Sequence, residues 1–313
     1  MFRFIVKRIL VLIPILFFVS IMVFLILRLA EGDPAMAYLR MSNIPPTDEA
    51  LAQTRHDLGL DKPIAEQYVL WVSRAMRFDF GRSYVTGKPV LQEVLYYLPA
   101  TLTLAGLGLL FTILVSVPLG VTAALHKDRF QDHLTRVLAF VGVSMPSFWL
   151  GYLLLFLLSV KLRWLPPMGR GGIAHMIMPV LTLSAMSIAI NVRFLRANLL
   201  ENMNSRSIFF ARARGLSEKR VLWAHVMKNS LIPVITMTGM HLGEMLGGAV
   251  IVENIFSWPG LGRYAVQSVL NRDYPVLQCF ILMMTVIFVL CNLVVDIVYA
   301  LVDPRIRFEG DAR

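Results

Sequence analysis

Charge is scarce in this chain, and acidic charge scarcest. Only 16% of the 313 residues are Asp, Glu, Lys or Arg, with 20 acidic against 30 basic. A soluble domain carries about 25% charged residues. Cysteine is nearly absent. Cys279 and Cys291 sit in one apolar run, which gives no disulfide framework and no metal-ligand spacing. They read as small apolar fillers. Catalytic patterns are missing too. No Ser-His-Asp or Cys-His set has a recognisable spacing. The stretch from Gly81 to Lys88 imitates a phosphate-binding loop only at first sight. Five residues separate Gly81 from Gly87 instead of four, and Pro89 stands where a Ser or Thr would hold magnesium. The chain is therefore expected not to be an enzyme. It shows no internal repeat and no low-complexity run.

What is present is apolar. Hydrophobic residues make up 57% of the chain, against about 45–50% in soluble domains. Six segments stand out: Ile9–Leu29, Thr101–Leu125, Val137–Val160, Met176–Leu195, Leu231–Val252 and Val276–Leu301. A bilayer span needs about 20 such residues. Lipid offers no partner to backbone N–H and C=O groups, so each segment must be a helix. The pattern predicts an all-α membrane protein with six transmembrane helices. The first segment also has signal-peptide traits, with Arg3, Lys7 and Arg8 ahead of it and Ala35-Met36-Ala37 after it. Its apolar core is longer than the usual 7–15 residues of a signal sequence, so it is read as a retained span.

The net charge of +10 follows topology rather than nucleic acid. With both termini cytoplasmic, the inside segments hold Arg3, Lys7 and Arg8, then Lys127, Arg129 and Arg136, then eight basic residues from Arg193 to Lys228, then Arg305, Arg307 and Arg313. Most outside basic residues fall in one long loop, and long loops count little toward orientation. The division expected is a first helix at 1–29, an extracytoplasmic loop at 30–98 folding as a small cap, a five-helix core at 99–302 containing a cytoplasmic segment at 196–230, and a cytoplasmic tail at 303–313. Two short helices separated by Gly215 suit the cytoplasmic segment, with Ser217 placed to cap the second.

That segment carries a resemblance. Ala211-Arg212-Ala213-Arg214-Gly215-Leu216, followed by Leu231-Ile232-Pro233, resembles the ATPase-coupling loop of permease subunits of ATP-binding-cassette importers. The long gap from Gly215 to Pro233 is similar to the dipeptide, oligopeptide and nickel branch. So are Leu98-Pro99-Ala100-Thr101, Ser144-Met145-Pro146-Ser147-Phe148-Trp149, the run from Glu253 to Gly262, and Asp303-Pro304-Arg305. The resemblance covers essentially the whole chain. It implies a multi-pass protein of the bacterial plasma (inner) membrane. The implied partners are a second permease subunit, two ATP-binding subunits, an extracytoplasmic substrate-binding protein and membrane lipid, with no nucleic acid. It implies no cofactor bound by this chain, with ATP and magnesium used by the partner ATPases. Ala211, Arg212, Ala213, Gly215 and Leu216 would form the coupling loop.

Within that branch the fifth span looks most like a nickel permease, on the strength of His241 and Glu244. Along a helix Met237, His241, Glu244 and Gly248 share one face, while Gly239, Gly243 and Gly247 form a second stripe suited to close packing. A mid-membrane Glu must face a cavity or a partner, and imidazole with carboxylate suits Ni²⁺. Met237, His241 and Glu244 are therefore candidates for the translocation pathway, with His241 and Glu244 as transient metal ligands. A His–Glu hydrogen bond that clamps the helix to a neighbour is the plainer reading of the same spacing. Three rivals remain open: a dipeptide or oligopeptide importer, a metallophore importer, and a proton-coupled secondary transporter.

Overall fold

The structure is a computed structural model, and it describes residues 2–29 and 32–302. The tail at 303–313, with the Asp303-Pro304-Arg305 motif, lies outside the described residues. Thirteen helices follow one another among the described residues: α1 Phe2–Leu29, α2 Pro34–Met41, α3 Asp48–Asp57, α4 Ile64–Ala75, α5 Val90–Leu125, α6 Phe130–Ser144, α7 Ser147–Leu154, α8 Ile173–Met203, α9 Arg206–Ala213, α10 Glu218–Arg220, α11 Met227–Ile255, α12 Leu261–Leu270 and α13 Tyr274–Val302. Two π-helical stretches extend them, Leu155–Lys161 after α7 and Val221–Val226 between α10 and α11. The fold is all-α, as the sequence predicts. Five of the described helices are long and apolar enough to span a bilayer, and the count is six if the broken pair α6–α7 is one span.

That pair corrects one expectation. The segment Val137–Val160 is not a single straight span. α6 and the helix from Ser147 to Lys161 meet at 106°. Pro146 is the cause. It has no N–H to continue a helix, and it drives Met145 into an extended conformation, φ −91° and ψ 119°. The second span also starts earlier than its apolar core, at Val90. Val90 and Val94 are fully buried, so the first turns of α5 are held by packing, although Gln92 and Glu93 make that stretch look loop-like in sequence.

The described chain divides into two compact units. One runs through Thr101 and resumes at Pro259–Leu290; the other comprises Leu102–Trp258 and the chain from Cys291. In the first unit, Ser20 of α1 meets the Tyr68 hydroxyl at 2.9 Å. Phe24 packs between Tyr68 and Trp71 of α4. Asp33 caps α2 by accepting from the Ala35 amide and is gripped by Arg55 at 2.7 Å. Thr47 caps α3. Residues 34–75 thus fold as three short helices, the first two with capped N-termini, rather than as a random loop.

In the second unit, α8 lies at the centre, packed against α6, α7 and α11. Polar side chains pin it. Asn191 donates to the Thr238 hydroxyl at 3.0 Å, and Asn202 donates to the Ser230 hydroxyl at 3.0 Å. Such interhelical hydrogen bonds in lipid are worth about 1 kcal/mol each. A Cβ on Gly142 of α6 would crowd Ala189 of α8 at 2.9 Å, so glycine sets how closely those helices approach.

Candidate functional site

The residues from Arg206 to Met227 form a packed arm. Ile208 and Ala211 on one face of α9 are buried against Leu195 and Leu199 of α8 and against Val221 and Val226. Leu216 is half-buried against the same cluster. The opposite face is apolar and open. Phe209, Phe210 and Trp223 are exposed at 69%, 64% and 57%. The sequence predicts two short helices here, and the structure corrects the second. α10 is not separate. It runs through the π-helical stretch straight into α11, so Glu218–Ile255 is one continuous helix of 38 residues. Ser217 stands at the N-cap position, but its side chain makes no capping hydrogen bond.

Gly215 makes the turn. Its φ is +77°, a left-handed conformation that costs most residues about 1–2 kcal/mol. A Cβ there would meet nothing within 4 Å, so the backbone angle, not crowding, calls for glycine. The Gly215 amide donates to the Arg212 carbonyl at 2.9 Å, and Leu216 donates to Ala211. Arg212 also reaches across the turn to Glu218, and the ion pair raises its pKa. Of the expected coupling residues, Ala211 and Leu216 pack inward, while Arg212, Ala213 and Gly215 are exposed.

Twenty-six residues on from Glu218, α11 carries the candidate pathway residues. His241 is buried, with 2% exposure. The Glu244 side chain is 65% exposed. His241 Nδ1 and Glu244 Oε2 lie 2.8 Å apart. Residues three apart on a helix point about 60° from each other, so one turns into the bundle and the other out. Met237 is half-buried beside them. The glycine stripe also divides. Gly239 sits directly against Val295 of α13, whereas Gly247 faces open space. Among the described residues no three His, Cys, Asp or Glu side chains come together as a metal site.

Two polar clusters escape sequence reasoning. Asp132 of α6 is fully buried and takes two hydrogen bonds of 2.6 Å from Arg196 of α8. In the other unit, the turn at Ser83–Lys88 hydrogen-bonds across the chain. Ser83 donates to Asp273 at 2.5 Å, and Thr86 and Tyr264 both donate to Glu93 at 2.7 Å. Burial pushes the Asp273 carboxyl above its ordinary pKa, with Ser83 and nearby amides pulling it back. Burial and the neighbouring Glu93 also raise the Tyr264 hydroxyl. The partners lie up to 190 residues apart, and no local period could pair them.

Residues 116–308 match the family described as the inner membrane component of binding-protein-dependent transport systems, and residues 1–105 match its N-terminal counterpart. The chain belongs to this family. It is the permease subunit of an ATP-binding-cassette importer, a multi-pass inner-membrane protein whose family works with substrate-binding proteins and leaves ATP hydrolysis to separate subunits. The permease is 41% identical over 310 residues to the glutathione transport system permease protein GsiC of Escherichia coli K12, covering 99% of this chain and all of that one. It is 40% identical to the Shigella flexneri protein of the same name over the same shares. The MetNI methionine transporter in its inward-facing form has a similar fold, with a TM-score of 0.57 at 15% identity, over 68% of the permease and 97% of that chain.

Proposed function

We propose that this permease carries short peptides of the glutathione kind, delivered by an extracytoplasmic binding protein. One observation supports the substrate class most: end-to-end similarity, at 41% identity, to permeases named for glutathione transport. The geometry of α11 is compatible with it. Glu244 lies eleven residues from the helix end at Ile255, about 16 Å along the axis, which is roughly mid-depth in a hydrocarbon core of about 30 Å. A carboxylate at that depth needs water or a partner. Exposed on a pathway wall, it would attract the ammonium of a peptide zwitterion. The nickel reading gains nothing comparable. His241 and Glu244 already engage each other, and two ligands are few for a metal that prefers more.

The same proposal gives residues 206–226 a partner. An exposed aromatic ridge of Phe209, Phe210 and Trp223, backed by a packed apolar core, suits a groove on an ATP-binding subunit on the cytoplasmic side. The outer short helices α2–α4 would then face the binding protein.

Uptake in a strain lacking its own peptide importers tests the proposal, with the permease expressed alongside its partner subunits. Labelled glutathione and dipeptides should accumulate, and radioactive nickel should not. Glu244→Gln should cut peptide uptake roughly tenfold, as expected for loss of one charge-assisted hydrogen bond, at unchanged complex levels. Nickel accumulation without peptide uptake would reverse the substrate assignment.

A further inference from the structure

A cleft of about 800 Å³ opens between α6 and α8, lined by His133, Arg136, Val137, Phe140, Arg193 and Arg196. The spacing explains it. On α6, residues 133, 136, 137 and 140 share one helical face, and 193 and 196 share a face of α8. Arg196 is already committed to Asp132 by its two short hydrogen bonds. Arg136 stands 3.8 Å from the same carboxylate and 2.7 Å from the His133 Nδ1 atom. A guanidinium has no acceptor, so that Nδ1 is the accepting nitrogen of this contact. Arg193 makes no hydrogen bond or ion pair among the described residues. Three arginines thus line the cleft and one carboxylate, Asp132, stands behind it, so the cleft keeps a surplus of two positive charges. Beside that surplus stand Val137 and Phe140, exposed at 59% and 69%.

We propose that this cleft binds the headgroup of an anionic phospholipid. The surplus guanidinium charge takes the phosphate, and Val137 and Phe140 take the first carbons of the acyl chains. Charge and apolar surface side by side match an amphiphile better than a soluble anion, which would leave the apolar lip bare. Arg136 and Arg193 present the planar fork that pairs with phosphate oxygens. Basic pockets between transmembrane helices on the cytoplasmic side suit such headgroups, and this end of α8 leads directly into α9. Asp132 acts by position only: it fixes Arg196 as the back wall and holds Arg136 by a longer 3.8 Å contact, leaving Arg193 to turn outward.

The test is lipid retention by the full-length permease in detergent, read by native mass spectrometry. Phosphatidylglycerol and phosphatidylcholine with identical chains are offered in turn, with and without excess inorganic phosphate. Phosphatidylglycerol should be retained at least tenfold better than phosphatidylcholine, and inorganic phosphate should not displace it. Arg136→Gln with Arg193→Gln should weaken retention by about tenfold or more, since each basic group near a lipid headgroup is worth about fivefold. If the double variant does not fold, Arg193→Gln alone carries the test at about fivefold, because that side chain holds nothing else together. Equal retention of both lipids would overturn the proposal. So would unchanged retention in folded variants, or displacement by inorganic phosphate, which would mark a site for soluble anions. The readout needs neither transported substrate nor a sided membrane, so it stands or falls apart from the peptide assignment.

Discussion

Arg212 holds Glu218 across the turn at Gly215 with two hydrogen bonds, 2.8 and 3.1 Å long. The pair closes the gap between α9 and the start of the long helix that carries His241 and Glu244. Both side chains are largely exposed, at 44% and 73%. An exposed pair contributes at most about 1 kcal/mol to stability, so its value lies in fixing the angle between the two helices.

Gly215 should therefore respond to backbone preference rather than size. Gly215→Asn, which tolerates a left-handed angle, should keep ATPase coupling. Gly215→Val should lose it, at a local cost of about 2 kcal/mol. Substrate-stimulated ATP hydrolysis by the reconstituted complex measures this. Equal activity in both variants would show that the turn angle is irrelevant. Arg212→Gln should lower stimulation while shifting the unfolding free energy by less than about 1 kcal/mol.

Gly239 and Gly247 should behave differently although both belong to one stripe. A Cβ at Gly239 would collide with Val295, and one at Gly247 would touch nothing. Gly239→Ala should cost about 1–3 kcal/mol through overpacking, with partial rescue by Val295→Ala. Gly247→Ala should be neutral for yield and thermal stability. A destabilised Gly247→Ala with a normal Gly239→Ala would contradict the packing described for α11 and α13.

Asp132 and Arg196 form a buried pair whose halves should not be separable. Asp132→Ala leaves the Arg196 guanidinium, whose side chain is only 18% exposed, without its carboxylate and should cost about 3 kcal/mol. Replacing both, with Asp132→Leu and Arg196→Met, should recover most of the loss. Thermal unfolding in detergent reads both effects. A single variant no weaker than the double would remove the pair from the account of α6–α8 packing.

The basic residues of the short connections predict an orientation with both termini cytoplasmic. Single cysteines at Ser42 and Ser217 should label from opposite faces of sealed vesicles, with Ser217 reactive from the cytoplasm. Labelling of both from one face would invert or break the assignment of the ends.

The long apolar runs made the spans legible in the sequence because composition alone decides whether a helix tolerates lipid. Gly215 was legible for a similar reason: glycine beside a short Ala- and Arg-rich run signals a turn. The 106° break at Pro146 was signalled by one residue and masked by the apolar run around it. The start of α5 at Val90 was hidden by Gln92 and Glu93; the Glu93 carboxylate is satisfied by Thr86 just before the helix and by Tyr264, 171 residues away. His241 and Glu244 were visible as a spaced pair. Their opposite exposures were not, since exposure depends on which helices pack against α11. Asp132 gave no sign of its partner, because Arg196 lies 64 residues away.

The continuity of the helix from Glu218 to Ile255 has a geometric effect. Glu244 lies 26 residues beyond Glu218, an arm of about 39 Å at 1.5 Å per residue. Pivoting such an arm by 10° at its foot displaces Glu244 sideways by about 7 Å, more than the width of one peptide backbone. A nudge of a few degrees at the exposed turn would thus be magnified at mid-membrane, less whatever bending the π-helical stretch Val221–Val226 and Pro233 take up on the way.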